Sequence, residues 1–95
     1  MNERPAVLIL GGTAEAVALA EKASARFDVT YSLAGRTRAP ALPGDVATRS
    51  SGFGGAAALA RWIEQNDIHA VIDATHPFAD HIARHAAAAC TRTGI

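Results

Sequence analysis

Three observations predict an open α/β fold in which a parallel sheet carries helices on both faces. Short apolar runs in β-favouring residues alternate along the chain with stretches of helical periodicity. The first apolar run ends at paired glycines just where a helical pattern begins. The clusters Gly11 to Thr13, Gly35 to Arg38, Gly52 to Gly55 and Asp73 to Phe78 each follow the C-terminal end of a predicted strand. In a parallel sheet those ends share one edge, the edge at which open α/β folds bind ligands.

Composition bounds the remaining choices. Ninety-five residues, 49% of them hydrophobic, make one small domain over 1–95, able to bury somewhat more than ~60% of its unfolded surface. Nine Lys and Arg balance nine Asp and Glu, so no net field draws the chain to nucleic acid or a membrane surface. Any anionic ligand has to be held by local groups. The single Cys90 excludes an intramolecular disulfide and a cysteine cluster for zinc, as expected in a reducing cytoplasm. No apolar segment approaches the ~20 residues that span a bilayer. The sequence therefore predicts a soluble cytoplasmic protein.

The elements follow in order. Ala6 to Leu10 is a continuous apolar run and predicts a buried parallel strand. Gly11 and Gly12 make the turn, and Thr13 is the expected N-cap of a helix, its hydroxyl available to a backbone N–H or a phosphate oxygen. Ala16, Leu19, Ala20, Ala23 and Phe27 share one face of that helix. Val29 to Leu33 is the second expected strand, opened by a turn at Asp28. Ala34 to Gly44, rich in proline and glycine, is a loop, and Asp45 to Arg49 a short third strand. The turn Gly52 to Gly55 opens a helix that places Ala56, Leu59, Ala60 and Ile63 on one face, bordered by Trp62. Ala70 to Ala74 is the fourth strand. From Ala79 the pattern is helical again, with Ala79, Ile82, Ala86, Ala89 and Cys90 together and Gly94 as the stop. Four strands are visible and Ile95 reads as the start of another, so the sheet is expected to be truncated. Right-handed crossovers order the strands 3-2-1-4, placing Gly11 to Thr13 and Asp73 to Phe78 across a crevice where the order reverses.

That crevice suits a nucleotide or dinucleotide, although the fingerprint Gly-x-Gly-x-x-Gly is met only at Gly11, the other two positions being Thr13 and Ala16. The end of the second strand offers Gly35-Arg36-Thr37-Arg38 and no carboxylate. Arg36, supported by Thr37 or Arg38, is placed to hold the 2′-phosphate of NADP; the plainer alternative is a solvated basic loop. Pro77 forces His76 into an extended conformation at the end of the fourth strand, where it can offer a hydrogen bond, a charge or a proton. Against this, Asp73 or Thr75 caps the next helix and His76 merely packs. His81 and His85 are spaced i,i+4 without the Glu of a zinc motif or a nearby third ligand, so a solvated helix face and no metal are expected. His69 reads as structural, in a helix-to-strand connection. Phe53 is either a lid over the ligand or a core plug.

Taken together, Gly11-Gly12-Thr13-Ala14-Glu15-Ala16, Leu33-Ala34-Gly35-Arg36-Thr37, Gly52-Phe53-Gly54-Gly55 and Asp73-Ala74-Thr75-His76-Pro77-Phe78-Ala79 resemble the precorrin-6A reductase family of cobalamin biosynthesis. The resemblance spans nearly the whole chain. It implies a Rossmann-like domain and an NADPH-dependent, or in the cobalt-bearing pathway NADH-dependent, reduction of one double bond of precorrin-6A or cobalt-precorrin-6A, giving precorrin-6B. By that analogy Gly11, Gly12 and Thr13 approach the pyrophosphate, Gly35, Arg36 and Thr37 the adenosine end, and Gly52 to Gly55, including Gly54, with Thr75, His76 and Phe78 the rest of the crevice. Arg38, Phe53 and Phe78 are candidates for the substrate side, with Arg36, Arg38 and His76 the basic groups available to its carboxylates. His76 is also the candidate catalytic residue, although the resemblance assigns no proton donor. Family members carry a second α/β domain absent from these 95 residues, so the chain alone is expected to be inactive. A non-catalytic nucleotide-binding module using the same crevice is the alternative. A short-chain reductase relative fits less well, because the Tyr-x-x-x-Lys pair of such enzymes is missing.

Overall fold

The computed structural model describes residues 4–33, 42–50, 52–76 and 79–95. The elements run β1 (Ala6–Leu10), α1 (Ala14–Ala23), β2 (Asp28–Ser32), β3 (Ala47–Arg49), α2 (Ala56–Gln65), β4 (Ile68–Asp73) and α3 (Asp80–Thr93). All pairings are parallel and the order is β3-β2-β1-β4, as the crossover rule requires.

β1 is the centre of the molecule because it is apolar on both faces, and a strand buried on both sides needs helices above and below. Leu8 and Leu10 point to one face, where they pack with Leu59, Ala60 and Ile63 of α2 and with Ala86 and Ala89 of α3. Val7 and Ile9 point to the other, against Ala16 and Ala20 of α1 and Val29, Tyr31 and Leu33. Leu8 and Ile9 are fully buried, each such side chain contributing about 1.5–3 kcal/mol. The small residues on α1 and α3 let those helices approach the sheet closely.

Several element boundaries differ from the sequence reading. Asp28 belongs to β2, paired with Ala6 and donating its N–H to Pro5 O at 2.9 Å, and is not a turn. The helical register ends at Ser24, so Phe27 leaves the apolar stripe and is 38% exposed; Leu19, at the margin of the stripe, is also exposed. β3 is shorter than expected, and β4 starts at Ile68. His69 therefore lies inside a strand. Ala6 pairs with Ile68 and Val7 with Ala70, leaving His69 as the extra residue of a bulge, and its Nδ1 accepts the Ala6 N–H at 3.2 Å. The histidine is structural, as expected, because it replaces a ladder bond that the bulge removes. Gly94 ends α3 in the left-handed conformation, its N–H donating to Cys90 O. Among the described residues no helix is long and apolar enough to cross a membrane.

Candidate functional site

The C-terminal ends of the strands open into a crevice of about 390 Å³ at the junction of β1 and β4, within the ~300–1,000 Å³ typical of small-molecule sites. Leu10, Gly11 and Gly12 form one side, Ser32 and Leu33 extend it along β2, and Phe53, Leu59 and Ile82 contribute apolar wall. Thr75, His76, His81 and His85 add polar groups.

Gly11 continues the ladder past the end of β1, donating its N–H to Ser32 O at 2.8 Å. Gly12 has φ +124°, a conformation L side chains rarely adopt, and a Cβ built there would meet nothing within 4 Å. The second glycine thus turns a bare, open backbone toward the crevice. Thr13 is the expected N-cap, extended at φ −126° and ψ 161°, with Oγ1 accepting from Ala16 N at 3.0 Å and donating to Ala74 O at 3.1 Å. The second bond ties the start of α1 to the end of β4. The Thr13 hydroxyl is thus engaged twice within the turn.

At the opposite junction Asp73 Oδ1 accepts from both the backbone N–H and the hydroxyl of Thr75. This local turn keeps Thr75 and the exposed His76 at the crevice. Neither Asp73 nor Thr75 caps α3, whose N-cap, Ala79, has no side-chain bond. The start of α3 brings His81 and His85 to the same cavity, their rings 6.4 Å apart. His81 is exposed, in keeping with the solvated helix face expected for this pair, and that face, continued by Ile82, forms a wall of the crevice. Among the described residues no three His, Cys, Asp or Glu side chains are grouped to hold a metal.

Phe53 lines the cavity while packing on the α2 and α3 core and edge-on to Trp62 at 5.5 Å. Arg49, read from the sequence only as the end of the third strand and not as a site residue, lies over the Phe53 ring with Cζ at 3.8 Å from the centroid and donates to Ser32 Oγ at 3.2 Å. Burial lowers its pKa from the ordinary guanidinium value, yet arginine stays charged. A cation is thus fixed beside the β2 end of the crevice. Of the predicted site residues, Gly11, Gly12, Phe53, Gly54, Thr75 and His76 share the cavity, with Thr13 adjoining. Gly35, Arg36, Thr37, Arg38 and Phe78 lie outside the described residues.

With this geometry in view, comparison with known proteins is specific. The family model for precorrin-6x reductase CbiJ/CobK matches residues 6–95. A precorrin-6A reductase of a Sinorhizobium species is 50% identical over 95 residues, covering 98% of this chain and 36% of that protein. A precorrin-6A reductase of Mycobacterium tuberculosis is 50% identical over 90 residues, covering 94% of this chain and 36% of the relative. A solved structure of CobK precorrin-6A reductase superposes with a TM-score of 0.89 at 43% identity, covering 96% of this chain and 36% of that one. The chain thus spans about a third of the length of the curated relatives it matches. By sequence and by fold, it belongs to the precorrin-6x reductase CbiJ/CobK family.

Proposed function

We propose that this chain is the dinucleotide-binding part of a cobalamin-pathway enzyme that reduces precorrin-6A to precorrin-6B with NADPH. The observation that carries the reading is the open backbone of Gly12 in an apolar-walled crevice at the reversal of strand order, within a chain of this family. Bound NADPH would supply a hydride to an electrophilic carbon of the macrocycle. The chain's own contribution is positioning. Gly11, Gly12 and Thr13 lie against the pyrophosphate, while Gly35, Arg36 and Thr37 serve the adenosine end, Arg36 on the 2′-phosphate. Leu10, Leu33, Phe53, Leu59 and Ile82 exclude water. Gly54, Thr75 and His76 border the ligand, His76 being the group able to hold a proton there; Arg38, Phe53 and Phe78 are the substrate-side candidates. The second domain carried by longer relatives would close over the macrocycle, and the enzyme would work in the cytoplasm. Cobalt-precorrin-6A and NADH are the variant substrate and cofactor to compare.

Titration calorimetry with NADPH and NADH tests the cofactor assignment. Arg36→Ala should weaken NADPH by about 1.5–3 kcal/mol and NADH much less; equal losses would remove Arg36 from the 2′-phosphate. NADPH oxidation with precorrin-6A tests the reaction. The 95-residue chain alone should not turn over, and supplying the rest of a relative as a second polypeptide should restore some activity. Turnover by the chain alone would overturn the two-domain account. Cofactor binding without turnover in the reassembled protein would favour a nucleotide-binding module.

A further inference from the structure

We infer that Tyr31 is the positioning residue of the glycine turn: its ring occupies the space a Gly11 side chain would need, and its hydroxyl holds Gly12 in the conformation that faces the crevice. The inference rests on the dinucleotide reading of the crevice only for what the turn is positioned to bind.

The two glycines have different reasons to be glycine. Gly11 is not in the positive-φ region, so an alanine would suit its backbone. A Cβ there, however, would stand 2.2 Å from Tyr31 Cζ, 2.3 Å from Cε1 and 2.4 Å from the phenolic oxygen, separations no side chain tolerates. Gly12 is the reverse case, with open space around it and a positive φ that needs glycine.

Tyr31 cannot yield its place. It is fully buried on the α1 face of the sheet, directly opposite Ile9 in the ladder, among Val7, Ile9, Ala16 and Ala20. Its oxygen accepts the Gly12 N–H at 2.9 Å. That bond points the Gly12 amide into the protein and leaves its unsubstituted Cα side to the crevice. A ligand approaching the turn therefore meets the bare Cα of Gly12 rather than its N–H. The motif as read along the chain misses this, because the residue shaping the turn comes from the neighbouring strand, 19 positions away.

The test combines stability, amide exchange and NADPH binding on the 95-residue chain. Gly11→Ala should melt well below the wild type. Tyr31→Leu removes the far end of the ring, so adding Gly11→Ala to it should lower the melting temperature little further. If Gly11→Ala does not fold at all, a double variant that folds like Tyr31→Leu alone supports the inference equally. Tyr31→Phe keeps the ring and removes only the hydroxyl; hydrogen exchange at the Gly12 amide should quicken roughly tenfold and the NADPH dissociation constant rise by a similar factor. A tyrosine that only stabilised the core would leave affinity unchanged once the variant is folded. Wild-type stability in Gly11→Ala, additive losses in the double variant, or unchanged Gly12 exchange and NADPH affinity in Tyr31→Phe would overturn the inference. If the wild-type chain does not bind NADPH, the dinucleotide reading fails, while melting and exchange, both measured without ligand, still decide the Tyr31 assignment.

Discussion

The two strand-to-helix junctions that face each other across the crevice are built differently. At β1–α1 the turn is held from three directions: Gly11 N–H on Ser32 O, Gly12 N–H on the Tyr31 hydroxyl, and Thr13 Oγ1 between Ala16 N and Ala74 O. At β4–α3, Ala74 is tied to the first junction, donating its N–H to Leu10 O at 2.9 Å and accepting from Thr13 Oγ1, but beyond it the bonds among the described residues include the local pairs Asp73 with Thr75 and Ala79 N–H with His76 O, and the helix begins without a side-chain cap. The strands behind them differ likewise, β1 being buried and central, whereas β4 lies at the edge with Ile72 37% exposed. A preorganised backbone platform thus faces a junction that presents side chains, Thr75, His76, His81 and His85.

The comparison breaks most sharply at Gly12. Gly12→Val should cost about 1–3 kcal/mol through its positive φ and abolish NADPH binding. A folded Gly12→Val chain with unchanged affinity would remove this turn from the site.

Thr13→Ala comes next, losing an N-cap and the tie to Ala74, with an expected destabilisation of about 1–2 kcal/mol in urea unfolding. Asp73→Ala, at the local junction, should stay within about 0.5 kcal/mol. Equal effects would erase the distinction between a braced and a local turn.

The His81→Gln/His85→Gln double variant should leave the melting temperature near wild type, since His81 is exposed and neither ring is in the core, while altering ligand binding. Stoichiometric zinc in the purified protein, lost in the same variant, would instead make the pair a metal site.

The smallest effect concerns Cys90 on α3. Burial pushes its thiol up from the ordinary value, so near pH 8 less thiolate is present than in the unfolded chain and alkylation by iodoacetamide should be slower in the folded state. Equal rates would mean that this part of α3 leaves the sulfur as accessible as in the unfolded chain.

The features legible along the chain are those carried by local pattern. Short apolar runs and period-3.6 apolarity located the seven described elements, with the bounds of β3 and β4 shifted, Thr13 and Gly94 marked a helix start and a stop, and handedness gave the strand order, because each depends on residues near one another in the chain. The four motifs, read together, also carried the family resemblance. Tertiary structure alone decided which groups meet. Tyr31 looked like ordinary strand filler until register set it beneath Gly11 and Gly12, and Arg49 had no partner in the pattern until β3 lay beside Ser32 and Phe53. His81 and His85 could not be assigned to the crevice until α3 was docked, since helical periodicity defines faces but not what each face looks upon. These are contacts between distant segments, and their distances follow from sheet register and helix packing, which no local window of residues encodes.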